Sequence, residues 1–252
     1  MTIHFTKFGQ GAPLILIHGL FGTMDNLKSI GKGLAEDFTV YLIDVPGHGR
    51  SSTSAPLTLP NMADAVYQFT QEQGLARFSL LGHSLGGKVA MELSLTYPEA
   101  VHKLIVADIA PVQYGRRHDT IINTLKTVPL GSLPSRGQAD KILARGIEEK
   151  GVRGFLLKSL GKDDKGDWQW QFDLNGLAEN YHHLIAGNRD GQFNGQTLFI
   201  VGGQSNYVLP EHKASIVSRF PNVGSKLIHG AGHWLHAEKP TAFIKICRDF
   251  LS

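Results

Sequence analysis

Short apolar runs alternate with amphipathic stretches over the first part of the chain. The run at 13–17 is continuously apolar, as expected of a parallel strand buried on both faces, and 38–43 and 78–81 are strand-like as well. Residues 61–73 carry apolar side chains at helical spacing. This alternation of strand and helix predicts an α/β fold with a mostly parallel central sheet and helices on both of its faces.

The alternation stops near residue 112 and resumes near residue 195. Between these points the pattern predicts four helices and one short alternating run, at 121–128, 139–150, 152–160, 174–185 and 168–172. Strand-like runs return at 197–203 and 225–228, and an apolar-periodic C-terminal segment follows. The pattern therefore predicts a core formed by residues 1–111 and 195–252, interrupted by a helical cap at 112–194.

The change from strand to helix period falls at Ser84. The preceding strand leads into Gly82-His83-Ser84-Leu85-Gly86, and Leu85, Val89 and Leu93 then recur at helical spacing. A G-x-S-x-G pattern places its serine on a sharp strand-to-helix turn, where the neighbours must be small because backbone segments come close. This predicts a nucleophile elbow with Ser84 as the nucleophile. The alternative is a glycine-rich turn that happens to contain a serine.

Composition narrows the classes of partner. Lys and Arg exceed Asp and Glu by 25 − 22 = 3 without long basic runs, so no nucleic-acid partner is expected. Residues 1–5 lack a basic patch with an apolar stretch behind it, and no later run approaches the ~18 residues of a spanning helix. We therefore expect a soluble, cytoplasmic protein without stable membrane insertion. The single cysteine, Cys247, cannot form an internal disulfide and is expected in the core.

A serine nucleophile needs a base that removes its proton and an acid that orients the base. Three histidines near the C-terminus compete for the role of base. His233 follows two glycines that let the loop bend into a cleft, so we predict it as the general base, whereas His229 belongs to a strand end and His236 to the following helix start. The histidines lack the H-E-x-x-H spacing of a helical zinc site, so neither a metal nor another cofactor is expected.

Asp108 is the predicted acid. It follows the strand after the elbow strand, and so is expected at the carboxyl edge of the sheet, where α/β proteins bind ligands. Asp44 ends an earlier strand but has a structural explanation as the cap of a Pro-Gly turn. Glu238 belongs to the start of the C-terminal helix, and Asn206 offers a carbonyl without charge.

The order Ser84, Asp108, His233 and the motifs around these residues resemble the α/β-hydrolase superfamily over nearly the whole chain. Within it, the sequence resembles the small bacterial YbfF-type esterases, which are relatives of the ABHD11 proteins. The stretches that carry this resemblance lie at 17–22, 82–88, 108–112, 155–158 and 232–240. The resemblance implies an α/β-hydrolase fold with an eight-stranded core, a helical cap between strands 6 and 7, and cleavage of carboxylic esters or acyl thioesters.

Two backbone N–H groups are the expected donors of an oxyanion hole. Leu85 directly follows the nucleophile on the elbow, and Leu20 lies in a loop that resembles the H-G-x loop of the family, with Phe21 as the next candidate. The sequence departs from the family pattern in one respect. Superfamily members usually place the acid just after the strand at 197–203, yet here that loop lacks a carboxylate. YbfF-type proteins instead carry Asp-Ile-Ala-Pro at the position of Asp108.

Two other functions stay open. A cofactor-free perhydrolase would keep the serine, and a ligand receptor or binding module can use a hydrolase scaffold because a fold does not determine function. Dehalogenases and epoxide hydrolases of the superfamily carry an aspartate nucleophile, so Ser84 argues against both. The expected partner is a small-molecule ester or acyl thioester. The pair Arg116-Arg117 either meets an anionic group or faces solvent, and the sequence leaves acyl length and oligomeric state open.

Overall fold

A computed structural model describes residues 2–53 and 56–252. Met1, the first residue of the stretch 1–5 in which no targeting pattern was found, lies outside the described residues. Ser54 and Ala55, which fall in the predicted core range, lie outside them as well.

The strands in this part of the chain are β1 (Phe5–Phe8), β2 (Ala12–Ile17), β3 (Phe38–Ile43), β4 (Phe78–His83), β5 (Val101–Ala107), β6 (Leu160–Lys162), β7 (Trp168–Trp170), β8 (Gln196–Gly202) and β9 (Val223–Ile228). The α-helices are α1 (Lys28–Leu34), α2 (Leu59–Glu72), α3 (Leu85–Thr96), α4 (Asp119–Lys126), α5 (Arg136–Leu143), α6 (Lys150–Lys158), α7 (Leu174–Glu179), α8 (Tyr181–Leu184), α9 (Lys213–Arg219), α10 (Leu235–Glu238) and α11 (Pro240–Leu251). Short 3-10 helices lie at Met24–Leu27, Leu130–Ser132 and Pro210–His212. Over the two described ranges, no helix is both long enough and apolar enough to cross a membrane.

Seven of these strands form the central sheet, in the order β1-β3-β2-β4-β5-β8-β9. Every neighbouring pair is parallel except β1 and β3, which confirms the prediction of a mostly parallel sheet. The elbow strand β4 lies in the middle, between β2 and β5. Because parallel strands end at the same edge, the loops that follow β2, β4, β5 and β8 lie side by side.

The alternation of side chains along β2 divides the core into two clusters. Leu14 and Leu16 pack with residues of α1 and α11, including the buried Cys247. Ile15 and Ile17 pack on the opposite face with residues of α2, α3 and the segment between β5 and β8. Helices therefore cover both faces of the sheet, as predicted.

The segment between β5 and β8 contains α4 to α8, in the range predicted for the cap, and also the antiparallel hairpin β6–β7. The resemblance implied eight core strands, whereas the described residues give seven in the central sheet. Counted back from β9 as the eighth strand, the segment still falls between strands 6 and 7. The strand without a counterpart in the described residues is therefore the first of the family's count.

One predicted helix of this segment is shorter than the pattern indicated. The apolar spacing predicted a helix over 139–150, but α5 ends at Leu143. In the turn that follows, the carbonyls of Ile147 and Glu148 accept hydrogen bonds from the Arg153 guanidinium (2.9 and 2.7 Å). These contacts stabilise the turn between α5 and α6.

A second predicted helix, over 174–185, is divided into α7 and α8. The division falls at Asn180, whose side-chain Nδ2 donates to the carbonyl of Gly176 (2.9 Å). The backbone N–H of Asn180 donates to the same carbonyl (3.0 Å). Asparagine side chains that bond to nearby backbone favour helix ends, and α7 ends there.

Candidate active site

Ser84 lies on the sharp turn between β4 and α3. Its φ of 53° and ψ of −119° fall in a region that residues other than glycine rarely adopt. A Cβ added to Gly82 would lie 2.2 Å from the carbonyl oxygen of Gly86, and a Cβ added to Gly86 would lie 2.1 Å from the carbonyl oxygen of Ile17. The two glycines are therefore required by the close approach of β4, α3 and β2, which holds Ser84 at the carboxyl edge of the sheet.

The structure brings Ser84, His233 and Asp108 into one hydrogen-bonded chain. Ser84 Oγ lies 3.0 Å from His233 Nε2, and His233 Nδ1 lies 2.7 Å from Asp108 Oδ2. When Nδ1–H donates to the carboxylate, Nε2 is left to accept the serine O–H. Of the two competing histidines, His229 is exposed in the turn after β9 and His236 is buried in α10.

The carboxylate of Asp108 is fully buried and is held by donors from β8 and the loop after it. The backbone N–H of Gly202 donates to Oδ1 (3.0 Å), and Ser205 Oγ donates to Oδ2. Hydrogen bonds of this kind compensate for the burial of a charge. The loop in which the family usually carries its acid thus supplies a donor to Asp108 in this chain.

The two competing carboxylates have other partners. Asp44 accepts hydrogen bonds from the backbone N–H groups of Met24 (2.7 Å) and Arg50 (3.2 Å), which stabilises the turn after β3. Glu238 accepts from the backbone N–H of Gly232 (2.8 Å), which stabilises the histidine-bearing loop. Both therefore have structural roles near the site.

His233 is fixed through its ring and its backbone. The ring of Tyr207 stacks on the imidazole, with centroids 3.8 Å apart and planes 17° apart. Arg117 lies over the Tyr207 ring, 4.9 Å from its centroid, and donates to Asn206 Oδ1 (2.9 Å). His83 Nε2–H donates to the His233 carbonyl (2.8 Å), and burial, assisted by nearby histidines, lowers the pKa of His83 well below its usual value.

The loop after β2 is clamped around Phe21, whose φ is 62°. The Phe21 N–H donates to His48 Nε2 (3.1 Å), and the Phe21 carbonyl accepts from Ser159 Oγ (2.8 Å), a residue of the cap. Burial lowers the pKa of His48 to about 3, so Nε2 stays an unprotonated acceptor. Because the Phe21 N–H is occupied, the N–H of Leu20 is the better of the two candidate oxyanion donors in this loop.

A cavity of about 600 Å³ borders Ser84 and His233. Its apolar lining comes from both the core and the cap: Leu20, Ile121, Val152, Phe155, Leu156 and Trp234. This volume falls within the range of sites that enclose a small molecule. Of the two neighbouring arginines, Arg117 lines the cavity, whereas Arg116 forms an ion pair with Asp119 on the surface (2.7 Å).

Lys88, on α3, connects both ends of the cap to the core. Its Nζ donates to the carbonyls of Val112 (2.8 Å) and Ala186 (2.5 Å), one near each end of the inserted segment. Burial lowers the pKa of Lys88 to about 7, against an opposing effect of Glu92. Asn188 adds a second connection, since its Nδ2 donates to the Lys88 carbonyl (2.8 Å) and to Glu92 (2.9 Å).

The sequence pattern did not reveal the residues that support this site: His48, His83, Ser159, Ser205 and Tyr207. Their contacts join distant parts of the chain, such as the 97 positions between Ser205 and Asp108, and no local pattern reveals them. The sequence held one signal for Ser205: it lies in the loop after β8, where the family's usual carboxylate is missing. Within the described ranges, no group of three or more His, Cys, Asp or Glu side chains is arranged to hold a metal ion.

Comparison with known proteins identifies the family. The model of the alpha/beta hydrolase fold family matches residues 12–144. Esterase YbfF of Escherichia coli (strain K12) is 35% identical over 244 residues, which cover 96% of this chain and 94% of that protein. The sn-1-specific diacylglycerol lipase ABHD11 of Mus musculus is 33% identical over 95% of this chain and 80% of its own length. The chain belongs to the α/β-hydrolase family.

One solved structure is similar to this protein over both the core and the cap. The structure described as a marine microorganism esterase has a TM-score of 0.95 at 35% identity and covers 98% of each chain. The predicted fold class and family are thus confirmed. These relatives also support the predicted enzyme class, a carboxylic ester hydrolase.

The connection through Lys88 predicts a pH-dependent contribution to stability. Lys88→Met leaves two partly buried carbonyls without their donor, so the free energy of unfolding should fall by about 1–3 kcal/mol. The Lys88 pKa is about 7 in the folded protein against the usual 10.5, so between these values the unfolded chain binds more protons. Wild-type stability relative to the variant should therefore increase as pH rises from about 7 towards 10.5.

Urea unfolding of both proteins at several pH values measures this difference. Lys245→Met is the control, because Lys245 is exposed and pairs with Asp249 on the surface (2.7 Å). Its difference from wild type should stay below about 1 kcal/mol across the series. If the difference in unfolding free energy between wild type and Lys88→Met stayed constant or narrowed with rising pH, the lowered pKa of Lys88 would be contradicted.

Proposed function

We propose that the protein hydrolyses carboxylic esters through an acyl-enzyme on Ser84, with His233 as general base and Asp108 as the acid that orients it. The hydrogen-bonded chain of these three side chains carries the proposal. Its contacts of 2.7 and 3.0 Å give each group the partner that its role requires. Acyl thioesters would be cleaved by the same steps, because their carbonyl carbon is attacked in the same way.

In the acylation half, Ser84 Oγ attacks the ester carbonyl carbon while His233 Nε2 accepts the serine proton. A bond forms between Oγ and carbon, and the carbonyl electron pair moves onto oxygen. The N–H groups of Leu20 and Leu85 donate to this oxyanion. The carbon–oxygen bond to the alcohol then breaks, His233 delivers its proton to the leaving oxygen, and the acyl group stays on Ser84.

In the deacylation half, water takes the place of the alcohol. His233 Nε2 accepts a proton from the water as the water oxygen attacks the acyl carbon, and the oxyanion forms again at the same donors. The bond between carbon and Ser84 Oγ breaks, and His233 returns the proton to Oγ. One ester and one water have become one carboxylic acid and one alcohol, and the enzyme is restored.

The charge that develops on His233 is stabilised by the buried Asp108 carboxylate. Three other histidines lie near enough to affect this charge. Burial lowers the pKa of each, to about 4 for His118, to about 3 for His236 and well below the usual value for His83. These rings are therefore neutral near pH 7 and do not oppose the protonation of His233.

Ser84→Ala tests the proposal directly. Loss of the nucleophile should lower kcat for p-nitrophenyl acetate by about 10⁴-fold or more, because only binding and the oxyanion hole would remain. Initial rates measure this loss, and rapid mixing of wild type should show a burst of p-nitrophenol if acylation outpaces deacylation.

Ser94→Ala is the matched control, since Ser94 is a fully buried serine of α3, the helix that follows Ser84, and donates to the carbonyl of Ala90 (2.8 Å) away from the site. It should keep near-normal turnover. A folded Ser84→Ala protein with near-normal turnover would end the hydrolase proposal, and wild type that binds esters without cleaving them would indicate a binding module.

Asp108→Asn tests the assignment of the acid. The amide oxygen can still accept from Gly202, so the fold should persist, but the neutral amide neither fixes the His233 tautomer nor stabilises its charge. Turnover should fall about 10⁴-fold. Steady-state rates, with circular dichroism as a check of folding, provide the measurement.

Glu238→Gln is the control for this substitution, because the glutamine carbonyl can still accept from the backbone N–H of Gly232. We expect it to keep most of its activity. If Asp108→Asn kept most of the turnover while Glu238→Gln lost it, the acid would have been wrongly assigned.

A further inference from the structure

Two cavities of very different size meet at Ser84. The larger one, of about 600 Å³, is lined by His233 and Trp234. The smaller one, of about 30 Å³, is lined by Leu85, whereas His233 does not contribute to its wall. Leu20 and Ser84 border both cavities, so the reacting carbon of a bound ester would lie where the two join.

The position of His233 assigns one side of the ester to each cavity. In the acylation step, His233 Nε2 must come within hydrogen-bond reach of the leaving oxygen in order to protonate it. The alcohol therefore extends into the larger cavity, which His233 lines. The acyl substituent is bonded to the same carbon but points away from the leaving oxygen, and the smaller cavity beside Leu85 is the space on that side.

The smaller cavity has room for a short acyl group. A cavity needs about 10–15 Å³ to hold one group of the size of a water molecule. The smaller cavity, of about 30 Å³, therefore holds about two such groups. Ile109 and Leu184 form part of its wall and are 3% and 2% exposed. Side chains packed this closely resist expansion, so an acetyl or propionyl group fits and a chain of six carbons does not.

The larger cavity suits an apolar alcohol. Val152, Phe155 and Leu156 of the cap line it together with Leu20 and Trp234 of the core. We propose that the substrates are short-chain acyl esters, acetates or propionates, of bulky apolar alcohols. This assignment rests on the ester hydrolysis proposed above and on the side of Ser84 that His233 occupies.

Two isomeric esters test the assignment with the intact protein. Hexyl acetate and ethyl hexanoate contain the same atoms and have similar leaving alcohols, but the long chain lies on opposite sides of the carbonyl. We expect kcat/KM for hexyl acetate to exceed that for ethyl hexanoate by about 100-fold or more, since several methylenes must be excluded from the smaller cavity. Acid release in a pH-stat measures both.

Leu184→Ala locates the preference in the smaller cavity. Leu184 lines that cavity and not the larger one, so its truncation should raise the kcat/KM of ethyl hexanoate relative to hexyl acetate by about 10-fold. Leu177→Ala is the matched control, because Leu177 is a fully buried leucine of the neighbouring helix that lines neither cavity. It should leave the ratio of the two esters unchanged.

The outcomes separate this inference from the function on which it rests. Faster hydrolysis of ethyl hexanoate by wild type, equal rates for the two isomers, or the same ratio in a folded Leu184→Ala protein would overturn the assignment of the cavities while leaving ester hydrolysis intact. Failure of folded wild type to hydrolyse either isomer or p-nitrophenyl acetate would overturn the proposed function itself. The comparison of isomers in wild type decides the preference even if Leu184→Ala does not fold.

Discussion

Backbone strain at the carboxyl edge of the sheet is the constraint on which the site depends. Within residues 2–53 and 56–252, the non-glycine residues with positive φ are Phe21, Ser84 and Asp108, and all three lie at the site. Such conformations cost about 1–3 kcal/mol each and persist where the surroundings fix them. Here the Ser84 N–H donates to Ala107 (3.0 Å) and the Asp108 N–H donates to Ile200 (2.9 Å), so each turn is bonded to a neighbouring strand.

The third strained residue, Phe21, connects the loop after β2 to the cap. Phe21 is held by His48 from the core and by Ser159 from the cap, and the backbone of His48 itself pairs with Phe172 of the cap in an antiparallel bridge. Flanking bonds, from Gly49 N–H to the Gln171 carbonyl (2.7 Å) and from Asp173 N–H to the Gly47 carbonyl (2.8 Å), extend this pairing. The loop after β2, which contains Leu20, is therefore positioned by both parts of the protein. The cap lines the cavity beside Ser84 and also supports the residues around it.

Much of the core was predictable because buried parallel strands carry an unbroken apolar signal. The predicted strand at 38–43 has the bounds of β3, and the elbow pattern led to the turn at Ser84. The choice of Asp108 as the partner of His233 rested on its place at a strand end, on the lack of a carboxylate in the loop after β8, and on the resemblance to proteins that carry Asp-Ile-Ala-Pro at this point. The cap was less predictable, because its apolar spacing does not show where α5 and α7 end. The donors to Asp108 and Phe21 depend on pairs of residues far apart in sequence.

We propose that Ser84 attacks the ester carbonyl carbon and that the N–H groups of Leu20 and Leu85 bind the oxygen of that carbonyl. A crystal structure of the protein after reaction with a p-nitrophenyl alkylphosphonate tests both parts, because the tetrahedral phosphorus mimics the reacting carbon. We expect a covalent bond from Ser84 Oγ to phosphorus and a phosphonyl oxygen about 2.7–3.1 Å from both backbone nitrogens. A phosphonate bonded to another residue, or an oxygen turned away from the Leu20 N–H, would contradict it.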